Sequence, residues 1–118
     1  MISETDIAWA AGFFDGEGSI AIQRPTARFA RSYHLSIEQK DWEPIERFLH
    51  IFGGSPGRRD SSYTNVGVRR NCFVWRSSDM AHSRWVMAQI YPYLTERRQK
   101  KWADALEIRK LYEEGRSI

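Results

Sequence analysis

The spacing of apolar residues changes several times along the chain, and each change marks an element. Ile7, Trp9, Phe13 and Phe14 recur at helical spacing, and Ser3-Glu4-Thr5-Asp6 ahead of them has the form of a capping box with Asp in the last place. A helix is therefore predicted from Ser3, stopping at Gly16 and Gly18. Over 19–24 the period shortens to two, with Ile20 and Ile22 inward, Ala21 and Gln23 outward, and Pro25 ending the strand. A second strand over 33–39 buries Leu35 and Ile37 and turns His34, Ser36 and Glu38 the other way. Asp41 caps a second helix that tolerates Pro44 in its first turn, carries Ile45, Phe48, Leu49 and Phe52 on one side, and stops at Gly53-Gly54.

Beyond that stop, Ser55-Pro56-Gly57 reads as a turn into a third strand with a loop, over 58–68. The fourth strand, 69–76, sets Cys72 and Val74 against Phe73 and Trp75, a pattern that covers both faces in part. Ser77-Ser78-Asp79 caps a third helix over 80–90 that Pro92 ends. In the last helix, 95–114, Trp102, Ala105, Leu106, Leu111 and Tyr112 are candidates for the buried side. The order is αββαββα with a terminal helix and no internal repeat. This is the α+β class, with helices on one face of an antiparallel sheet and the other face open.

Length and charge narrow the picture. At 118 residues, 1–118 form one domain that buries roughly two-thirds of its unfolded surface. A single cysteine excludes an internal disulfide, and three scattered histidines argue against a structural zinc site. No stretch approaches the roughly 20 apolar residues of a membrane span, and the acidic start is unlike a signal peptide. The expectation is an intracellular protein, cytoplasmic or organellar and not secreted. Net charge is only +3, but between Arg24 and Arg76, leaving out the helix at 41–52, nine Lys or Arg face two acids. Arginine outnumbers lysine fourteen to four. Its planar fork suits phosphates and guanine edges, so a nucleic-acid partner is favoured over a basic surface kept for solubility.

The first helix adds chemistry. Ala8, Gly12 and Gly16 recur at i, i+4 and i+8, with Ala11 and Asp15 beside them, so one face has almost no side chain and another helix can approach its backbone. Asp15 and Glu17 stand at the end of this helix, where the dipole disfavours an acid by roughly 0.3–1 kcal/mol. A divalent cation held by carboxylate and carbonyl oxygens accounts for negative charge there.

The run Ala10-Ala11-Gly12-Phe13-Phe14-Asp15-Gly16-Glu17-Gly18 resembles the nine-residue signature of the LAGLIDADG homing endonucleases, here with one motif. Tyr91-Pro92-Tyr93-Leu94 followed by Arg97-Arg98-Gln99 is similar to that family's closing segment, so the resemblance covers nearly the whole chain. It implies a site-specific, double-strand DNA endonuclease acting as a homodimer on a long pseudo-palindromic site, with Mg²⁺ or Mn²⁺ as cofactor. The dimer would form on Ala8, Ala11, Gly12, Asp15 and Gly16, with Asp15 bracing the paired helices. The metal would be held by Glu17 with Gly16. The catalytic group would be Glu17, with Gln39 near the attacking water and Arg76 as the nearest match to a basic residue expected after the fourth strand. Ser77, Ser78 and Asp79 stand where a lysine is more familiar. The sheet would form a DNA-binding saddle presenting Gln23, Arg24, Arg28, Arg31, His34, Ser36, Glu38, Arg58, Arg59, Arg69 and Arg70. His50 and His82 read as surface or core histidines. Two alternatives stay open: a cleavage-deficient relative that grips intron RNA as a splicing maturase or regulates by binding DNA, and a basic interaction domain outside the family.

Overall fold

The chain folds in the order α1 (Glu4–Glu17), β1 (Gly18–Gln23), β2 (Ser32–Gln39), α2 (Trp42–Phe52), β3 (Ser55–Ser61), β4 (Arg70–Arg76), α3 (Met80–Ile90), a 3₁₀ turn (Tyr91–Tyr93) and α4 (Glu96–Glu113). The computed structural model describes residues 1–23, 32–61 and 70–115, with Gln23, Arg59, Asp60, Ser61, Arg70, Asn71 and Tyr112 described by backbone alone. The four strands form one sheet in the order β1-β2-β4-β3, every neighbouring pair antiparallel. Two hairpin-like pairs thus meet at the central strands β2 and β4.

One face of this sheet is covered. Tyr33, Leu35 and Ile37 of β2 and Trp75 of β4 are buried against Ala10, Ala11 and Phe14 of α1, Phe48 of α2, Val86 of α3 and Trp102 of α4. Each fully buried Leu, Ile or Phe contributes about 1.5–3 kcal/mol. Aromatic geometry adds direction: Phe48 meets Trp75 edge-on at 4.6 Å, and Tyr33 meets Trp102 edge-on at 5.1 Å. The Trp75 indole N–H donates to the Gly53 carbonyl at 2.7 Å, so its one polar atom is satisfied.

The termini of the helices follow the sequence closely. Ser3 Oγ accepts from the Asp6 N–H at 3.1 Å, and Asp79 Oδ1 accepts from the His82 N–H at 2.7 Å. Asp41 occupies the N-cap of α2 without a side-chain capping bond. The turn into β3 differs from expectation. Gly53 and Gly54, at φ 72° and 103°, make the turn themselves, so β3 already begins at Ser55 and includes Pro56. Proline is tolerated there because β3 is an edge strand and one side of it needs no N–H donor. Gly54 has no alternative: a Cβ would lie 2.6 Å from both the Arg76 carbonyl and the Trp75 indole nitrogen.

Beyond β4 the chain makes a buried polar link. The Ser77 N–H donates to the Leu35 carbonyl at 3.0 Å, and the Leu35 N–H donates to Ser77 Oγ at 2.9 Å. Ser77 Oγ also meets Ser83 Oγ at 2.7 Å, and Ser83 Oγ donates to the Asp79 carbonyl at 2.8 Å. Both serines are buried and satisfied. His82 is equally committed. Its Nδ1 accepts from the Ser78 N–H at 2.9 Å, so the proton sits on Nε2, which donates to the Phe52 carbonyl at 2.8 Å. It ties α3 to the end of α2.

Candidate functional site

The two sides of α1 meet different fates. Ala10, Ala11 and Phe14 are fully buried inside the chain. Ala11, expected at the dimer interface, is therefore unavailable to a partner: its position points it into the core with Ala10. Ala8, Gly12 and Gly16 remain exposed. A Cβ at Gly12 or Gly16 would meet nothing within 4 Å. Each glycine costs about 1 kcal/mol of helix stability relative to alanine, and none of the described residues requires it. Gly18 differs, because a Cβ there would overlap the Phe14 ring.

At the end of α1 the two acids part company. Asp15 is pinned: the Thr95 N–H and Oγ1–H each donate to Asp15 Oδ1 at 2.9 Å, and Arg98 Nε donates to the Asp15 carbonyl at 3.0 Å. The Thr95 backbone bond leads the causes that hold the Asp15 carboxyl below its ordinary value, opposed by desolvation and assisted by the Thr95 hydroxyl, Arg98 and Arg97. Asp15 therefore caps α4 from another helix. Glu17 is exposed, and among the described residues nothing pairs with its carboxylate. The Gly16 carbonyl shares its turn, so the helix end offers two hard oxygen donors, the kind that Mg²⁺ and Mn²⁺ take. Among the described residues no group of three or more His, Cys, Asp or Glu is arranged to hold a metal.

Beside that helix end lies a cleft of about 360 Å³ lined by Ser19, Ile20, Arg97, Arg98, Lys100 and Lys101, together with Asp104. Lys100 is paired with Asp104 at 3.0 Å and Arg98 is held by Asp15. Arg97 and Lys101 are exposed, as Lys100 is, and among the described residues neither of the two is in an ion pair. Sequence reasoning missed this cluster as a site, although 97, 100 and 101 stand at the i, i+3, i+4 spacing that gathers side chains on one helix face. Gln39, the last residue of β2, is partly buried with its Cα opposite Phe73. Because Gly18 pairs with Ile37, Gln39 lies at the end of the sheet where α1 joins β1.

The uncovered face is read from the register. Ser19, Ser36, Arg76 and Ser55 form one row across all four strands, and Glu38, Val74 and Gly57 form the next. His34 lies opposite Ala21. These residues alternate with the buried ones on β2 and β4, so they occupy the open side. Val74 is only 6% exposed although it stands outside the core cluster, which fits the two-sided pattern of β4. Arg76 is exposed, two strands and about 10 Å from Ser19 on β1. Burial, and then the Arg76 charge, hold the His34 pKa below its ordinary value.

Arg58 departs from its expected place. Its Cα pairs with Phe73, and its guanidinium lies 5.8 Å from the centre of the Phe73 ring, on the helix-covered side. One residue of register decides this, since Arg59 pairs with Cys72. For Gln23, Arg59 and Arg70 the backbone register alone is described, and Arg24, Arg28, Arg31 and Arg69 lie outside the described residues.

No protein-family model matches the chain. Over 50 residues, 42% of its length, it is 38% identical to the intron-encoded DNA endonuclease ai2b of Dictyostelium discoideum, and it spans 19% of that protein. Solved structures that share its fold include two homing endonucleases. One is the group I intron-encoded homing endonuclease I-CeuI complexed with DNA, at TM-score 0.67 and 15% identity, covering 97% of this chain and 58% of that one. The other is the archaeal intron-encoded homing endonuclease I-Vdi141I complexed with DNA, at TM-score 0.59 and 17% identity, covering 76% and 56%. The chain thus spans about a fifth of the curated relative and a little over half of each solved chain. The α+β fold with an open four-stranded antiparallel sheet is that of homing endonucleases, and the resemblance first seen in the α1 signature holds in the fold as well. Among the described residues no helix is long and apolar enough to cross a membrane.

Proposed function

We propose that this chain is a homing-type, site-specific DNA endonuclease that acts as a homodimer, each copy reading half of a long pseudo-palindromic duplex with its open sheet face. The observation that carries the reading is the exposed Ala8, Gly12 and Gly16 stripe, which meets no partner among the described residues and ends at Glu17, whose carboxylate pairs with none of them. Two copies joined along that stripe by a two-fold axis bring their Glu17 carboxylates together at one end of the helix pair. Such an enzyme acts where DNA is, in the cytoplasm or an organelle.

Hydrolysis of a phosphodiester requires charge stabilisation at phosphorus, a deprotonated water and a protonated leaving oxygen. The Glu17 carboxylate and the Gly16 carbonyl would hold Mg²⁺ or Mn²⁺, which would supply Lewis acidity and lower the pKa of water. Gln39 orients the attacking water through its amide. Arg97 and Lys101, beside Ser19, hold the scissile phosphate and offset the charge that grows on it. They take over the basic role that the sequence pattern assigned to Arg76. Arg76 instead joins His34, Ser36 and Glu38 as a DNA contact on the open face. Asp15 keeps α4, and with it Arg97, in place.

The test begins with duplexes selected from a randomised library in Ca²⁺, followed by exchange to Mg²⁺. A near-palindromic site should emerge and be cut. In Glu17→Gln, affinity should hold while cleavage falls by at least on the order of 10²-fold. Equal cleavage by the variant removes Glu17 from its role. A site that is bound but never cut hands the function to the DNA-binding regulator. If no duplex is retained and intron RNA is, the maturase reading takes its place.

A further inference from the structure

We infer that His34 and Arg76 form a proton-coupled binding site for one backbone phosphate of duplex DNA, in which His34 gains a proton as the phosphate arrives. The inference rests on the DNA reading above and adds a ligand and a regulating ion to one part of it.

The geometry comes from the register. Arg76 lies opposite Ser36, so His34, two residues earlier on β2, is its diagonal neighbour on the open face. Diagonal cross-strand positions are about 7–8 Å apart, close enough for two long side chains to meet one phosphate group. Both residues line a cleft of about 700 Å³ that also includes Ser55, Ser78, Asp79 and Met80. The cleft sits at the rim of the sheet, where β2 and β3 begin and β4 ends. Phosphates flank a groove while base edges occupy its floor, so a rim position suits the backbone and the central Glu38 and Val74 row suits the bases.

Electrostatics explain why the site is coupled to a proton. The described charged groups facing His34 are Arg76 from β4 and Asp79 from the start of α3. β1 offers Ala21 opposite, and β3 offers Ser55. The Asp79 carboxylate is engaged in capping α3. Burial and the Arg76 charge therefore dominate, and both favour the neutral imidazole of His34 in the free protein. A phosphate between the two side chains reverses the balance. It attracts the imidazolium and screens it from the guanidinium, and the charge-assisted bonds that result are stronger than neutral ones. An arginine is charged before DNA arrives; this histidine becomes charged because DNA arrives.

A phosphate contact is independent of sequence, so a duplex of random sequence serves as probe at fixed ionic strength in Ca²⁺. Wild-type affinity should fall as pH rises from 5.5 to 8.0, by at most about tenfold per unit for uptake of one proton. His34→Gln should be flat over the same interval. Imidazole NMR should show the His34 pKa raised in the complex. In the free protein Arg76→Gln should move the His34 pKa toward its ordinary value, which reports on the pair without DNA. The inference is overturned if His34→Gln keeps the wild-type pH dependence, or if the dependence appears only on a selected site, where a base edge would be the ligand. Binding of random duplex with an unchanged His34 pKa sinks this inference alone; no duplex bound at any pH sinks the DNA reading with it.

Discussion

Gly12 and Gly16 lie on the same helix as Gly18 is reached from, yet the first two open onto empty space and the third has no room for a methyl group. Gly18 belongs to the fold of one chain: its hydrogen in place of a Cβ lets Phe14 lie flat where α1 passes into β1. Gly12 and Gly16 make α1 weaker than alanine would, and no described residue of the chain needs the space they leave. Their cost is accounted for by the proposed packing of a second copy against this face.

The largest effect that would break this contrast is on assembly. Gly12→Leu should leave each chain folded, since its side chain has space, and raise the dimer dissociation constant on the order of 30-fold or more in sedimentation. An unchanged dimer would remove the stripe from the interface. Next comes Gly18→Ala, expected to lower stability by about 1–3 kcal/mol in denaturant unfolding because Phe14 must shift. Wild-type stability would mean that Phe14 can yield. The smallest effects sharpen the contrast from the same helix. Gly12→Ala, measured on dissociated chains, should raise stability by up to about 1 kcal/mol. Asp15→Asn keeps an oxygen acceptor for Thr95 but removes its charge, and should cost up to about 1 kcal/mol. Because the folded Asp15 pKa lies below the ordinary carboxylate value, its contribution is present above that ordinary value and lost as pH falls through the folded pKa. The Asn variant should lack that acid-side loss.

Much of this was legible along the chain because it is written in short-range periods. Alternation located β2 and its open-side His34, Ser36 and Glu38, and the capping residues located the starts of α1 and α3. Less was legible where one residue of register matters. Arg58 and Arg59 are indistinguishable by pattern, and pairing with β4 put Arg58 over Phe73. The Pro56 strand was read as a turn because proline's missing N–H is harmless only at a sheet edge, and edges are defined by neighbours. Ala11 shared a stripe with Gly12 in sequence, but 100° of helix rotation carried it into the core.

The basic cleft at Arg97 and Lys101 belongs to the same class. Its partners Asp15 and Ser19 are some eighty residues away, and only the packing of α4 against the end of α1 joins them. By itself the sequence determined the order of elements, the small-sided helix and the exposed acid at its end, since these depend on residues within a turn or two of one another. The tertiary structure decided which small residues face outward, which cations line the cleft beside Ser19 and which histidine shares a cleft with Arg76. Each of those follows from burial and charge contributed by strands and helices far away in the chain.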